Sequence, residues 1–320
     1  MKKINYGILS TASIVPRFVS GVRNSQSGVV TAIASRTESD AEKMATELDI
    51  PKSYGSYQEL CQDAEVDVVY IATYNKAHYE TAMLALENNK HVLLEKPFCL
   101  TKKEATHLFA VAKMRDCFIM EAQKAVFLPA TLKVKALIES GEIGKVRYIN
   151  ASSSHLGVDR IKWFHSLESG GGALYGSGTY PMEYIQYIMG ETFSEGTGTS
   201  LMNPGESDLQ CNLSLKLPSE VLVTVLITTM IFLESGMTIY GEKGSIWIPN
   251  YWKATELSVT NQEGQITDYH FPTESEFVFE VEHVNRCLAG KYLQSPVMSE
   301  LLTVATIGMI EKLYQGWTQK

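Results

Sequence analysis

Cysteine pairs, a surplus of positive charge and long apolar runs are all lacking in this chain of 320 residues. Its five cysteines are scattered, with the spacing of neither metal ligands nor a disulfide framework, so we expect no metal site. The formal charge of −8 argues against nucleic acid and anionic membranes as partners. No apolar run approaches the roughly 20 residues that a membrane helix needs. These absences favour a cytoplasmic protein whose thiols are reduced.

The chain is long enough for two domains, and its two parts differ in pattern. Over roughly the first 120 residues we count six strands that alternate with helical segments, which is typical of a doubly wound parallel sheet. Later strands alternate apolar with polar residues, as a mostly antiparallel sheet does. The predicted fold is α/β, with an N-terminal Rossmann domain over 1–122 and a C-terminal α+β domain over 123–320, whose C-terminal helix could pack back on the first domain. The helices predicted in the second part lie at Pro129–Ser140, Tyr180–Met189, Glu276–Leu288 and Ser299–Tyr314.

The turn after the first predicted strand, Asn5–Leu9, consists of small residues and leads into a helix. Backbone N–H groups at such a helix N-terminus can bind a pyrophosphate. The dinucleotide fingerprint G-x-G-x-x-G is replaced here by Ser10, Ala12 and Val15, so the turn is either a modified cofactor turn or a tight connection that binds nothing. If a cofactor binds, its contacts in this turn are Ser10, Thr11, Ala12 and Ile14.

The end of the second predicted strand, Val29–Ala34, is the position that distinguishes NAD from NADP. Ser35 and Arg36 stand there, where a carboxylate would hydrogen-bond the ribose 2′-hydroxyl. Because an arginine there attracts a 2′-phosphate, we expect NADP(H) to be preferred over NAD(H). The alternative is a surface arginine beside a helix start, since Thr37 also suits an N-cap.

Further polar residues follow the later strands, at the edge of an α/β sheet where ligands bind. Thr73 and Asn75 follow the strand Val66–Ala72, and His78 opens the next helix. We expect these three residues near the cofactor, although His78 also fits a purely structural role. The strand Val92–Leu94 leads directly into Glu95-Lys96-Pro97, where Lys96 is either a salt-bridge partner or a functional group. Gln123 and Lys124 follow the last strand of the alternating part, where the nicotinamide end of a cofactor would lie.

These motifs resemble those of the glucose–fructose oxidoreductase / inositol dehydrogenase / MocA family, over essentially the whole chain. Within the family, Ser35-Arg36 and Tyr180-Pro181 look most like the dihydrodiol and xylose dehydrogenase branch. The segments that carry the resemblance are Gly7–Val15, Ala34–Arg36, Thr73 with His78, Glu95–Pro97, Gly141–Val146, Gly170–Leu174 and Gly241–Ile246.

The resemblance implies roles for individual residues. Lys96 would hydrogen-bond the reacting hydroxyl or carbonyl and touch the nicotinamide ribose, with Glu95 beside it and Pro97 fixing the turn. The family places a His or Tyr acid/base eight residues after the last glycine of its triple-glycine string, where this chain has Tyr180. Four residues before it the family usually has an aspartate, and this chain has Gly176. That departure predicts an altered substrate preference, or reduced or absent activity.

A tyrosine needs help to act as a base, because its unperturbed pKa is about 10. A neighbouring ammonium favours the phenolate, so Lys96 and Tyr180 would form a sensible catalytic pair if they converge. Read without the resemblance, Tyr180 is an aromatic residue packed at a helix start. Trp163 and His155 precede the triple glycine, and they either line the substrate pocket with Gly176 or are solvated loop residues.

The expected function is therefore an NADP(H)-dependent oxidoreductase acting on a sugar, polyol or cyclic diol. The partners expected are a small carbohydrate or polyol substrate and, as the resemblance implies, a second copy of the chain in a homodimer or dimer of dimers. Two alternatives stay open. One is a catalytically weak or inactive dinucleotide or sugar sensor, which Gly176 favours. The other is an α/β protein that binds no dinucleotide, which the Ser10 turn allows.

Overall fold

The computed structural model describes residues 3–318, and these form two compact units. The first unit contains the chain up to Gln123 together with Ser275–Thr303. The second contains Lys124–Glu274 together with the chain from Val304 onward. Both units are therefore discontinuous in sequence.

The first unit is built on a parallel sheet of six strands in the order β3-β2-β1-β4-β5-β6. All of its strand pairs are parallel, and the strands β4 and β6 are buried along their whole length. Continuous apolar runs are typical of such doubly covered strands. The predicted Rossmann-type domain is confirmed. The strands are β1 (Ile4–Leu9), β2 (Gly28–Ala34), β3 (Lys52–Tyr54), β4 (Val68–Ile71), β5 (His91–Glu95) and β6 (Ile119–Ala122).

Local signals in the sequence set the helix starts of this unit. Thr101 and Glu104 form the predicted capping box, and the Thr37 side chain accepts from the Asp40 N–H as a predicted N-cap. Pro16 lies in the first turn of its helix, where it removes no intrahelical hydrogen bond. The helices are α1 (Val15–Arg23), α2 (Glu38–Glu47), α3 (Tyr57–Gln62), α4 (His78–Glu87), α5 (Lys102–Met114) and, from the C-terminal part, α9 (Val278–Ala289).

The second unit contains a sheet of eight strands in the order β14-β13-β12-β11-β7-β10-β9-β8. Its pairs are antiparallel except β7 with β10, which run parallel, so the predicted mostly antiparallel sheet is confirmed. The strands are β7 (Val146–Ser154), β8 (Glu195–Met202), β9 (Asp208–Lys216), β10 (Leu222–Thr228), β11 (Gly236–Gly241), β12 (Gly244–Pro249), β13 (Glu256–Asn261) and β14 (Ile266–His270).

The helices predicted for the later part of the chain are all present. The chain passes from the first unit to the second between Thr303 and Val304, inside the last of them. The helices that complete the fold are α6 (Pro129–Glu139), α7 (Ala173–Ser177), α8 (Thr179–Met189) and α10 (Glu300–Thr318).

Close packing explains the glycine string of the second unit. A Cβ on Gly171 would lie 2.0 Å from the Phe164 carbonyl oxygen, and one on Gly172 would lie 2.2 Å from Asp208 Oδ1. Asp208 also accepts a hydrogen bond from Tyr314 of α10, at 2.5 Å, and from the Leu174 N–H of α7, at 3.0 Å. The string is therefore held against the sheet on one side and the last helix on another.

Candidate active site

The polar residues predicted in the first unit lie at the carboxyl ends of its parallel strands. Strands β2, β1, β4 and β5 are consecutive neighbours in the sheet, so their carboxyl ends meet at one edge. The order of the strands reverses between β1 and β4, and open α/β sheets bind ligands at such a point.

A cavity of about 260 Å³ lies at this edge, beyond β1 and β2. Four of the predicted cofactor contacts line it, together with Thr37, Asp40 and the ring of Tyr57. Burial raises the pKa of Tyr57, while the positive charge of Arg36 opposes that rise. The Asp40 carboxylate accepts a hydrogen bond from Thr37 Oγ1 at 2.6 Å. The predicted residues that the cavity brings together are Ser10, Thr11, Ser35 and Arg36.

The turn after β1 adopts a backbone conformation that usually requires glycine. Ser10 has a φ of 112°, a region that L side chains seldom occupy. Its Oγ accepts a hydrogen bond from the Ala12 N–H at 3.0 Å, which closes the turn. Ile14 is the N-cap of α1 and provides no side-chain cap for the N–H groups of the first turn. That this turn binds a pyrophosphate stays a prediction.

Hydrogen bonds to two carboxylates hold the turn that carries Lys96. The Lys96–Pro97 peptide bond is cis. The Glu95 carboxylate accepts from Tyr70 Oη at 2.6 Å and from the Lys96 N–H at 3.2 Å. On the other side of the turn, the Phe98 N–H donates to the fully buried Glu121 carboxylate at 3.0 Å. The backbone on both sides of Lys96 is therefore anchored to carboxylates.

His78 supports the same turn from the start of α4. Its Nδ1 lies 2.8 Å from the Pro97 carbonyl oxygen and its Nε2 lies 3.1 Å from that of Thr73. Burial lowers the pKa of His78, and the two carbonyl contacts oppose this effect. This geometry favours the structural role over substrate contact. Asn75, also predicted near the cofactor, is buried in the short 3₁₀ helix before α4.

Gln123 follows β6 and is fully buried. Its N–H donates to the Glu121 carbonyl oxygen at 2.9 Å, so Gln123 extends the same polar edge of the first unit.

In the second unit, Tyr180 lies in the first turn of α8 and is half-buried. The nearly fully buried Lys124 reaches it from a 3₁₀ helix over Lys124–Phe127. Lys124 Nζ donates to Tyr180 Oη at 3.3 Å and lies 5.2 Å from the centre of the ring. This places an ammonium beside the predicted acid/base.

Gly176 differs from the neighbouring glycines. No heavy atom lies within 4 Å of the place that a Cβ on Gly176 would occupy. Residues 175–179 belong to α7 and the start of α8, with Gly178 between the two helices. The Gly176 N–H donates to the Gly172 carbonyl oxygen at 2.9 Å, so Gly176 is part of the helical turn.

The other two residues predicted for a substrate pocket lie before the glycine string. The His155 ring packs 5.4 Å from that of Trp252, and the His155 N–H donates to the Thr228 carbonyl oxygen at 2.9 Å. Trp163 is half-buried and follows a 3₁₀ helix over Val158–Arg160. Their role at a substrate pocket stays a prediction.

Sequence reasoning missed two residues and one contact that the structure places beside the predicted ones. Tyr57 lines the Arg36 cavity, Glu121 anchors the Lys96 turn, and Lys124, whose place near the nicotinamide stays a prediction, contacts Tyr180. The signal for Glu121 was present, because a carboxylate in an otherwise apolar strand must find buried donors. No local pattern pairs Tyr57 with Arg36.

In residues 3–318, no cluster of three or more His, Cys, Asp or Glu side chains could hold a metal ion. All five cysteines are buried and free of disulfides. Within the same described range, every helix is too short or too polar to cross a membrane.

A doubly wound sheet with a polar cavity and a lysine turn at its carboxyl edge defines a dinucleotide-binding α/β protein. Residues 4–123 match the model of an oxidoreductase family with an NAD-binding Rossmann fold, GFO/IDH/MocA, and residues 131–247 match the GFO/IDH/MocA C-terminal domain. The chain belongs to the GFO/IDH/MocA family of oxidoreductases, as the sequence motifs predicted.

Several relatives share most of the chain. It is 31% identical over 280 residues to the trans-1,2-dihydrobenzene-1,2-diol dehydrogenase of Xenopus tropicalis, which covers 84% of each chain. Identity to the enzyme of the same name from Homo sapiens is 30% over 316 residues, which covers 93% of each. These matches agree with the predicted dihydrodiol dehydrogenase-like branch.

Solved structures share the fold at lower identity. A 3-ketoreductase from Actinomadura kijaniata, KijD10, in complex with NADP and TDP-benzene superposes with a TM-score of 0.88 at 22% identity, covering 99% of this chain and 98% of that one. The aldose-aldose oxidoreductase from Caulobacter crescentus, complexed with glycerol, gives a TM-score of 0.88 at 20% identity with the same coverage.

Proposed function

We propose that this protein is an NADP(H)-dependent oxidoreductase that interconverts a hydroxyl and a carbonyl on a sugar, polyol or cyclic diol, with Lys96 and Tyr180 as its catalytic residues. The observation that carries the proposal is the anchored turn that holds Lys96 at the carboxyl edge of the parallel sheet. An exposed loop lysine would not need two carboxylates and a buried histidine around its backbone.

The residues of the Arg36 cavity fit the adenosine end of NADP(H). Arg36 supplies a cation, and hydroxyl-bearing side chains supply donors, among them Ser10, Thr11, Ser35 and Tyr57. A guanidinium pairs well with a phosphate. Among the residues that line the cavity, the acidic one is Asp40, whose carboxylate is engaged by Thr37. The set therefore suits a 2′-phosphate better than a bare ribose, for which a carboxylate at the end of β2 would be expected.

Nicotinamide, when bound, supplies or accepts the hydride. The protein has to hold the reacting oxygen and move its proton. In our proposal the Lys96 ammonium donates a hydrogen bond to that oxygen, which stabilises negative charge on it. Tyr180 then takes the hydroxyl proton in oxidation and returns it in reduction.

Two comparisons support these roles. KijD10, the similar 3-ketoreductase, has also been solved as a lysine-to-alanine and as a tyrosine-to-phenylalanine variant. Those two residues are separated in its sequence as Lys96 and Tyr180 are in this one. The relatives named for dihydrobenzene-diol and the neighbours named for sugars support the proposed substrate class.

A second candidate function is a dinucleotide or sugar sensor that does not turn over substrate. Gly176 favours it, because glycine can neither hold a substrate hydroxyl nor tune a lysine as the family's aspartate could. The space around Gly176 would admit a larger side chain, so packing does not explain the glycine.

We also propose that the chain forms a homodimer or dimer of dimers through the eight-stranded sheet. Large side chains on this sheet are well exposed, among them Leu222 at 56% and Tyr240 at 45%. Light scattering coupled to size exclusion should give at least twice the monomer mass of 35.6 kDa. A monomer at micromolar concentration would contradict the proposal.

One assay tests the enzymatic function. Purified protein is given NADP⁺ with a panel of aldoses, polyols and cyclic diols, and NADPH formation is followed while NADPH binding is measured by fluorescence. We expect turnover on at least one member, and we expect Lys96→Met to abolish it while NADPH affinity stays within about threefold. The matched control is Lys102→Met, at the first position of α5.

The outcomes separate the candidates. Turnover that survives in Lys96→Met would remove this lysine from the mechanism. NADPH binding without turnover on the panel would favour the sensor. Failure to bind either NADPH or NADH would overturn the enzymatic function and the dinucleotide sensor.

A further inference from the structure

We propose that Lys124 is a positioning residue that holds the phenol of Tyr180 and favours its deprotonated form. This inference rests on the proposed function, because it concerns how the proposed acid/base is prepared for proton transfer. Lys96 and Lys124 then have separate tasks. Lys96 serves the reacting oxygen, and Lys124 acts through Tyr180.

The geometry within the second unit carries this assignment. Lys124 is only 4% exposed, although lysine is among the residues least often buried. Its Nζ donates to Tyr180 Oη at 3.3 Å and also lies over the face of the same ring, 5.2 Å from the centre. One ammonium therefore contacts both the oxygen and the π-face of Tyr180.

Because Lys124 is buried, its contact with Tyr180 affects which form of the phenol is favoured. A buried ammonium is costly unless hydrogen bonds or an opposite charge compensate it. Ionised Tyr180 would provide that opposite charge at hydrogen-bond distance, whereas neutral Tyr180 provides an acceptor and a ring face. The pair therefore gains more when the phenol is ionised, which is the form that a general base needs.

The elements packed against the pair carry further ionisable groups. Glu183, one turn further along α8, is fully buried. A negative charge on Glu183 would disfavour the ionised form of Tyr180, which Lys124 favours. From α6, Lys135 donates to the Tyr187 carbonyl oxygen and pairs with Glu139. The remaining groups are Lys133 of α6, Tyr175 of α7, Tyr184 and Tyr187 of α8, and Tyr251 and Lys253 of the 3₁₀ helix before β13.

Two other lysine–tyrosine pairs in the second unit provide matched controls. Lys133 lies 4.5 Å above the ring of Tyr269, and Lys135 lies 4.8 Å above that of Tyr187. Lys133 is half-buried, unlike Lys124. Lys133→Met therefore removes a lysine–tyrosine contact and one positive charge from the same unit without touching Tyr180.

The first test needs neither substrate nor cofactor. Tyrosinate absorbance is titrated against pH in the full-length protein and in Tyr180→Phe, and the difference isolates Tyr180. The same subtraction is made in the Lys124→Met and Lys133→Met backgrounds. We expect Lys124→Met to move the ionisation of Tyr180 upward by about one pH unit or more, and Lys133→Met to leave it in place.

The second test is kinetic. With a substrate from the panel, Lys124→Met should lower kcat/KM for alcohol oxidation about tenfold or more at neutral pH. The rate should recover toward the parent value at high pH, where the phenol ionises unaided. Lys124→Arg should retain most of the rate because it keeps the cation, and Lys124→Gln should behave like Lys124→Met. A purely structural loss would not be rescued by pH.

Two results would overturn the inference. One is an unchanged ionisation of Tyr180 in both Lys124→Met and Lys124→Gln. The other is a loss of rate in these variants that is equal at all pH values. If the parent protein turns over nothing, the proposed function fails, while the absorbance titration still decides the role of Lys124.

Discussion

The two units hold their proposed catalytic residues in different ways. In the first unit, polar contacts fix the turn of Lys96, and the neighbouring turn after β1 places Ser10 in a backbone region usually reserved for glycine. In the second unit, the segment before Tyr180 is fixed by close packing of Gly171 and Gly172. Gly172 itself has a φ of 110°, close to that of Ser10, so the two units use the same backbone conformation with a serine in one place and a closely packed glycine in the other.

The largest effect should come from filling the space at Gly171. A methyl group there would lie 2.0 Å from the Phe164 carbonyl oxygen, so the backbone would have to shift. We expect Gly171→Ala to lower the free energy of unfolding by about 3 kcal/mol or more in urea titrations. The control is Gly176→Ala, which meets no atom within 4 Å and should stay within about 1 kcal/mol. Similar losses in both would mean that packing does not distinguish the two positions.

A charge-dependent effect should come from the Arg36 cavity of the first unit. We expect Arg36→Ala to weaken NADPH binding about 10- to 100-fold while NADH binding changes little, because only NADPH carries the 2′-phosphate. Isothermal titration with both cofactors measures the two affinities. The control is Arg23→Ala at the end of α1, whose guanidinium contacts the Leu48 and Asp49 carbonyl oxygens. Equal losses for both cofactors in Arg36→Ala would mean that the arginine does not recognise the phosphate.

Acid should weaken the first unit, because it contains three histidines with lowered pKa values. Burial lowers the pKa of His283 in α9 to about 4, and it also lowers those of His78 and His91. Since unfolding restores the ordinary value of about 6.5, the unfolded chain binds more protons between these values. The contribution of neutral His283 is thus present above pH 6.5 and is lost as pH falls toward 4.

We expect this loss to be about 1–2 kcal/mol for His283. Urea unfolding of the parent protein and His283→Gln at pH 7 and pH 4.5 measures it, with a flatter dependence in the variant. The same comparison between pH 7 and 8 is the control and should show equal slopes. Parallel curves over the acid range would refute the assignment.

The smallest effect should come from relieving the conformation of Ser10. Glycine adopts a φ of 112° readily, but Ser10→Gly also loses the hydrogen bond from the Ala12 N–H. We expect a net gain of up to about 1 kcal/mol in the free energy of unfolding. Ser13→Gly, at the other end of the same turn, is the control and should not stabilise. A clear destabilisation by Ser10→Gly would show that the side-chain hydrogen bond outweighs the strain.

Much of the fold could be predicted because its signals are local. Apolar runs marked the buried strands, and Thr101 with Glu104 marked a helix start. Other elements lacked such signals. Strand β3 (Lys52–Tyr54) is short and polar, and β8 contains the run Gly196–Ser200, with no apolar side chain that would indicate a strand. Their partners in the sheet, which are distant in sequence, determine that they are strands.

The candidate site likewise has one part that the sequence predicts and another that it does not. The position of Lys96 follows from the end of a strand, and strand ends are visible in the sequence. The contact between Lys124 and Tyr180 joins residues 56 positions apart. It depends on how the 3₁₀ helix over Lys124–Phe127 packs against α8, and no sequence pattern in either segment predicts that packing.

The hydrogen bond from Tyr314 to Asp208 has a consequence for biosynthesis. Asp208 accepts from the Leu174 N–H in the first turn of α7 and from Tyr314, which follows 106 positions later in the chain. The segment that leads to Tyr180 therefore acquires its complete set of contacts only once the chain as far as Tyr314 has been synthesised, and a truncation before Tyr314 would leave it permanently without them.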